Sequence, residues 1–185
     1  MKRILTIGLL PLLLLGCTST DKTLDTVLLF RENLNQSSNV TFETEVTADY
    51  GEDFYTFSML CSVDNMGNLS FTVTEPETIR DIQGQIGIEG GKLTFDNQVL
   101  AFNTMAAGRI SPVSAPYVLM QALRGGYISS VAKTEEGFCV MVDDSYAEDA
   151  LNLQIYFQGD YPVRGEIYWE QRRILTLQIE DFQLK

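Results

Sequence analysis

The chain has 185 residues, 45% of them apolar, with 13 basic and 25 acidic side chains and a formal net charge of −12. That length suits one domain with a sizeable core, and a field of that sign repels nucleic acid and anionic lipid headgroups. Histidine is absent, which removes Ser–His–Asp and Cys–His nucleophilic sites and every histidine-ligated metal centre; neither a P-loop nor a G-x-G-x-x-G motif is present, and no cofactor is implied.

At the start, Lys2-Arg3 precede an apolar run from Ile4 to Leu15. A short basic segment followed by a brief apolar one reads as an export signal, and the run falls short of the roughly 20 residues that span a bilayer. Leu14-Leu15-Gly16-Cys17 closes it and resembles the lipobox of bacterial lipoproteins. That resemblance implies cleavage after residue 16 and a diacylglyceryl thioether on Cys17, which becomes the first residue of the mature protein. Lys2 and Arg3 leave with the signal, so the mature net charge deepens to −14. Attachment to the membrane then comes from two acyl chains and not from a basic patch. The address implied is the cell envelope, on the outer face of the cell membrane or on an outer membrane where there are two. An ordinary signal peptide with release of the product is the alternative.

Residues 17–22 form a polar tether, and residues 23–185 form one domain. A helix is predicted over Thr23 to Asn35, with Leu24, Val27, Leu28 and Leu34 near one face and Leu29 and Phe30 widening it. From Val40 the period changes to 2: Val40, Phe42, Val46, Ala48 and Tyr50 alternate with polar and acidic residues. Gly51-Glu52-Asp53 turns this strand back into Phe54–Val63, and Asp64-Asn65-Met66-Gly67-Asn68 makes a second hairpin into the strand of Leu69, Phe71 and Val73. Further strands are predicted at 79–88, 92–96 and 98–103. Ser111-Pro112-Val113-Ser114-Ala115-Pro116 then leads into an apolar helix from Tyr117 to Leu123, with Ser114 as its cap and Pro116 in its first turn. Strand patterns resume at 127–133, 137–143, 151–157, 163–170 and 174–182.

About ten or eleven antiparallel strands with two helices give a mainly β (α+β) fold. A sheet that long must twist and curl, and the helices are the available filling for its concave side. Besides Cys17, Cys61 and Cys139 sit inside apolar stretches. Burial as free thiols is favoured over a disulfide. The acidic run Asp143 to Asp149 lacks the spaced oxygens and sixth-position glycine of an EF-hand loop and reads as a solvated turn. Carboxylate pairs for glycoside hydrolysis need only a set separation, and nothing selects a pair here.

The order of elements resembles the bacterial lipoprotein-carrier family (LolA/LolB-like), an unclosed β-barrel lidded by helices. The resemblance covers most of residues 20–185. It rests on Gly67-x-Leu69-x-Phe71-x-Val73-x-x-Pro76-x-x-Ile79-Arg80, with Ile79 where Phe is usual, and on Gly90-Gly91-Lys92-Leu93-Thr94-Phe95. Ser111-Pro112 with the following apolar helix, and Pro162 before Val163–Trp169, complete it. Glu75 stands where the family often has a basic residue that helps hold the lid, and Met66 is the nearest apolar loop tip. The resemblance implies a membrane-anchored, non-catalytic protein that binds or transfers an acyl chain, lipid or lipoprotein. Candidate cavity walls are Phe42, Val46, Phe57, Met59, Phe71, Val118, Leu119, Leu123, Leu175 and Leu177. Alternation alone leaves a dry, self-filled core equally open, and with it a module that docks onto an envelope or cell-wall enzyme. The late aromatics Tyr156, Tyr161, Tyr168 and Trp169 offer either a protein-binding patch or ordinary cross-strand pairs.

Overall fold

The computed structural model describes residues 22–96, 98–102, 105–106, 109–145 and 150–185. The export signal, Cys17 and residues 146–149 of the acidic turn therefore lie outside the described residues. Helix α1 (Lys22–Gln36) leads into β1 (Asn39–Asp49), β2 (Phe54–Asp64), β3 (Leu69–Glu75), β4 (Gln83–Gly87), β5 (Gly90–Phe95) and β6 (Gln98–Phe102). Two-residue strands β7 (Met105–Ala106) and β8 (Arg109–Ile110) pair with each other, and helix α2 (Ala115–Gly125) follows a single 3-10 turn over Pro112–Ser114. The chain ends in β9 (Tyr127–Lys133), β10 (Phe138–Asp143), β11 (Asn152–Gln158), β12 (Tyr161–Trp169) and β13 (Arg172–Leu184).

Eleven of these strands make one antiparallel sheet in the order β6-β5-β4-β3-β2-β1-β13-β12-β11-β10-β9. Each strand pairs with its neighbour in sequence except at the centre, where the first strand meets the last, with Val46 opposite Leu177 and Val40 opposite Leu184. The two edges, β6 and β9, do not pair with each other, so the barrel stays open. The chain crosses from one edge to the other through α2, and this is why the lid helix lies over the opening.

Period-2 alternation determines which face is filled. Along β1, Val40, Phe42, Val46 and Ala48 are buried, while Glu43 and Glu45 point outward. Thr44 is the one polar residue on that inner row; its hydroxyl donates to the Gln178 carbonyl at 2.7 Å, which satisfies it within the ladder. Helix α1 presents Val27, Phe30 and Leu34 to the core. Phe30 meets Phe157 edge-on at 5.1 Å, and Phe157 stacks on Phe138 at 4.9 Å.

Three expectations need correction. Leu24, Leu28 and Leu29 are exposed, because at roughly 100° per residue the three contact positions of α1 already span the arc that meets the sheet. The strand expected at 79–88 is interrupted: a 3-10 turn covers Glu77–Ile79, Asp81 adopts φ 67°, and pairing resumes only at Gln83. Pro76 ends the preceding run, and the Val73 backbone bonds Asp81 N–H and the Ile82 carbonyl, so Ile79 and Ile82 fold inward from a loop. Ser114 precedes α2 without capping it, since its hydroxyl makes no cap bond and is buried without a partner.

Helix α2 sinks deep. Ala115, Pro116, Val118, Leu119, Met120, Ala122 and Leu123 are all buried. Gly165 of β12 makes this approach possible, because a Cβ there would stand 2.9 Å from Leu119 Cδ1. The C-terminal end of α2 is held by polar contacts. Arg31 of α1 donates to the Leu123 and Ala122 carbonyls at 2.7 and 3.2 Å, and Asn35 donates to the Arg124 carbonyl. Arg124 reaches the Asp64 and Asn65 carbonyls of the β2–β3 turn, and Gln121 reaches Gly67. Cationic guanidinium against the last carbonyls of a helix also complements its dipole.

Candidate functional site: an apolar cavity beside the lid helix

All ten expected cavity residues are brought together, but as packed side chains. Phe42, Val46, Phe57, Met59, Phe71, Val118, Leu119, Leu123, Leu175 and Leu177 belong to one buried cluster, several of them with no exposed surface. Beneath α2 the half-barrel is filled by its own side chains.

Open apolar space lies next to this core, at the end of the sheet where α2 begins. A cavity of about 510 Å³ is floored by Phe57 and Tyr55 of β2, Val73 of β3 and Leu93 of β5. Ile79 and Ile82 of the β3–β4 connection form one flank, and Ile110, Pro112 and Val113 cover it before the lid. Phe57 is the only one of the ten expected residues that also lines it. Tyr50, Asp53 and Ser111 complete the lining, and the Tyr50 hydroxyl donates to the Ile110 carbonyl, tying the β1–β2 turn to the covering segment. Among the described residues no basic one lines the cavity.

Tyr55, Val73 and Leu93 join the lining from strands, whereas Ile79, Ile82, Pro112 and Val113 come from connections. Ile79 and Ile82 would fall on opposite faces of a strand, whereas spacing of three brings both inward from a turn. Apolar residues at that spacing directly after Pro76 are the signal that a loop, not a strand, supplies the wall. A larger groove of about 760 Å³ lies on the outer face, against Thr41, Ser62, Ser70, Thr72, Gln83, Gln85 and Lys92. Leu60, Val99 and the expected residues Phe42 and Phe71 also line it, so polar and apolar groups are mixed along that groove.

A second cluster lies on the outer face of β10–β13. Glu166 is only 3% exposed in its side chain, yet it is fully ligated. Arg173 donates to Oε1 at 2.7 Å, Arg164 donates to the same oxygen, and the hydroxyls of Tyr168 and Tyr156 donate to Oε2 at 2.9 and 3.3 Å. Burial pushes the carboxyl pKa up, but the bonds from Tyr168 and Arg173 and the two guanidinium charges outweigh it, leaving Glu166 below its ordinary value. Burial, then donation to Glu166, pushes Tyr168 up to about 12, and burial followed by the Glu166 charge raises Tyr156. The carboxylate is therefore ionised and the phenols neutral at physiological pH. Tyr156 and Tyr168 thus serve a cross-strand network, with the Arg164 guanidinium 5.1 Å from the Tyr156 ring.

Cys61 and Cys139 are both buried free thiols, and burial is the main cause that pushes each pKa up. Met66, at the β2–β3 tip, is 80% exposed. Among the described residues no helix is long and apolar enough to cross a membrane, and no group of three or more Asp, Glu or Cys residues is placed to hold a metal ion.

No protein-family model matches the chain, and no curated protein does. Solved structures do resemble it. A putative outer-membrane lipoprotein-sorting protein domain from Vibrio parahaemolyticus shares 8% identity over 90% of this chain and 94% of that one, with a TM-score of 0.49. A LolA superfamily protein from Nitrosomonas europaea shares 8% over 86% and 93%, with a TM-score of 0.46. Lipoprotein LppX from Mycobacterium tuberculosis shares 11% over 89% and 96%, with a TM-score of 0.41. These similarities concern the course of the chain and not its chemistry.

Proposed function

We propose that this protein is a cell-envelope lipoprotein, anchored by a diacylglyceryl group on Cys17, that binds a hydrophobic ligand without catalysis. The observation that carries this reading is the cavity of about 510 Å³ walled by Phe57, Val73, Ile79, Ile82, Leu93 and Val113. Its size falls among small-molecule sites, which span roughly 300–1,000 Å³ and are mostly apolar. An acyl chain or a lipid of similar bulk suits walls that offer contact area but no reactive group. The mature part carries the anchor on a short tether, which would keep the cavity close to the lipid that supplies its ligand.

Residues 18–185, the part that follows the expected lipidation site, are the unit for testing. Native mass spectrometry with lipid extraction, after export in bacteria, should show a co-purifying acyl species. Val113→Asp, at the half-buried cover of the cavity, should abolish it while the domain stays folded. A folded wild-type domain that emerges empty and takes up no added long-chain alcohol refutes the proposal. For the anchor, a Cys17-containing peptide without the diacylglyceryl mass refutes attachment.

The filled core beneath α2 favours a second reading, an interaction module that docks onto an envelope or cell-wall enzyme. Capture of one stoichiometric envelope protein by an empty domain would support it, and failure to capture any would remove it.

A further inference from the structure

We propose that the outer face of the sheet carries a second site, a polar trough across six strands that binds a linear β-linked glycan bearing N-acyl groups. It shares no lining residue with the apolar cavity, so it stands independently of the hydrophobic-ligand reading.

Strand register lays the site out. Directly opposed residues of neighbouring antiparallel strands point to the same face. From β13 to β5, Gln183, Thr41, Ser62, Ser70, Gln85 and Lys92 are successive partners and form one row at right angles to the strands. Glu43, Leu60, Thr72, Gln83, Thr94 and Val99 form a parallel row from β1 to β6. Buried Phe42, Cys61 and Phe71 alternate with these residues, which puts both rows on the outer face. Every residue of the two rows lines the groove of about 760 Å³. A β-bulge adds an acid at one end. Thr41 and Glu43 lie opposite Gln183 and Glu180, so Asp181 and Phe182 together face Phe42. Asp181 adopts φ 50° there and joins the groove lining at the end that Glu43 occupies.

Neighbouring strands stand about 4.8 Å apart, close to the repeat of one pyranose ring in a β-linked chain, so six strands give a track of about 24 Å with room for about four to five rings. A chain laid along the trough meets a new pair of side chains at each ring. Among the described residues, the side chains of Thr41, Ser70, Thr72, Gln83, Gln85 and Thr94 make no hydrogen bond. Hydroxyls and carboxamides both donate and accept, as sugar hydroxyls and N-acyl groups do. The carboxylates of Glu43 and Asp181 can accept from adjacent ring hydroxyls, and Leu60 and Val99 offer apolar surface to ring faces. The same two carboxylates disfavour a phosphodiester chain. An extended peptide would add to a free strand edge, but β13 and β1–β5 each have a strand on both sides, so the trough presents side chains and not backbone groups.

The test uses the full chain as a bacterial host exports it, purified in a polyoxyethylene detergent and titrated calorimetrically with chitopentaose. Saturable binding of one oligosaccharide per chain is expected, with chitobiose weaker by about tenfold or more, since it meets fewer of the side chains. Cellopentaose, which lacks the acylamino groups, should bind about fivefold more weakly, as the loss of one neutral hydrogen bond would give. Gln85→Ala should weaken chitopentaose binding by a similar factor, and Ser70→Arg, which fills the middle of the trough, should abolish it. Val113→Asp, in the apolar cavity, should leave it unchanged. Circular dichroism checks that the variants fold. A folded wild type that gives no saturable binding of chitopentaose overturns the inference, as does wild-type affinity in both Gln85→Ala and Ser70→Arg. Loss of binding in a folded Val113→Asp variant would move the glycan to the apolar cavity and overturn it too. Equal affinity for cellopentaose and chitopentaose overturns the N-acyl assignment. None of these outcomes bears on whether the apolar cavity holds a lipid.

Discussion

Glu166→Ala tests the outer-face network. The substitution removes the acceptor of four donors and leaves Arg164 and Arg173 without their counter-charge. Breaking a fully buried ion pair costs about 3–5 kcal/mol. Here the two arginine side chains are 38% and 51% exposed and can rehydrate in place. The loss therefore falls toward that of charged hydrogen bonds, about 1.5–3 kcal/mol, further reduced by solvent screening. A destabilisation of about 2 kcal/mol corresponds to a Tm lower by about 4–8 °C for a chain of this size. Glu166→Gln keeps a carbonyl acceptor and should lose less. The pH dependence separates charge from packing. Because the folded-state pKa of Glu166 lies below its ordinary value of 4.5, its contribution is present above that value and disappears as pH falls through the folded pKa. Thermal unfolding followed by circular dichroism from neutral to acid pH should show the wild type losing its advantage over Glu166→Gln in that acid window. A wild-type Tm no higher than that of Glu166→Ala at neutral pH, or parallel acid profiles for wild type and Glu166→Gln, would refute the reasoning.

Arg31→Met removes two bonds to the last carbonyls of α2 and should lower stability by about 1.5–3 kcal/mol in urea unfolding; no change would mean that packing alone holds that end of the lid. Leu119→Ala, at a site with no exposure, should cost about 2–5 kcal/mol by the same assay, and a loss under about 1 kcal/mol would show that the space collapses. Gly84→Ala places a Cβ 2.3 Å from Phe71 Cζ and should cost about 1–3 kcal/mol by overpacking, whereas a neutral result would show that the Phe71 ring swings aside. Cys61 and Cys139 should resist Ellman's reagent in the native domain and both react after denaturation, since burial raises both thiols; rapid native labelling would contradict their burial.

What could be read in advance follows from how local each signal is. The hairpins of β1, β2 and β3 were legible because alternation and turn residues act over a few positions: Val40, Phe42 and Val46 could only share a face. The apolar run of α2 likewise declared its burial. Residue pattern alone did not reveal the pairing of β1 with β13, which joins segments more than a hundred residues apart, or the route of α2 between the two sheet edges, since neither is set by local periodicity; the family resemblance gave only the general outline. Glu166 escaped notice for a related reason. Arg164 and Tyr168 flank it at two-residue spacing on its own strand, and burial is completed only when Tyr156 and Arg173 arrive from adjacent strands. The lining residues Ile79, Ile82, Ile110 and Val113 were not legible because alternation ranks strand residues by face but is silent on loops, and all four lie in or beside loops.

The position of the cavity relative to the lid also bounds what it can hold. Space beneath α2 is already taken by Leu119, Leu175, Leu177 and their neighbours, so a ligand that fits without rearrangement is limited to the volume beside the helix. Extending it inward would expose or displace fully buried side chains, each worth about 1.5–3 kcal/mol of burial. The two ends of α2 are not equally held. Arg31, Asn35, Gln121 and Arg124 tie the C-terminal end to α1 and the β2–β3 turn. At the N-terminal end, next to the cavity, Ser114 has an unpartnered hydroxyl, and the described tie is the Tyr50 bond to the Ile110 carbonyl. Enlarging the site from that end breaks fewer of these bonds than lifting the helix at the other. The covering segment Ile110–Val113 is therefore where ligand size is set, and Phe57 and Val73 mark where the space meets the closed core.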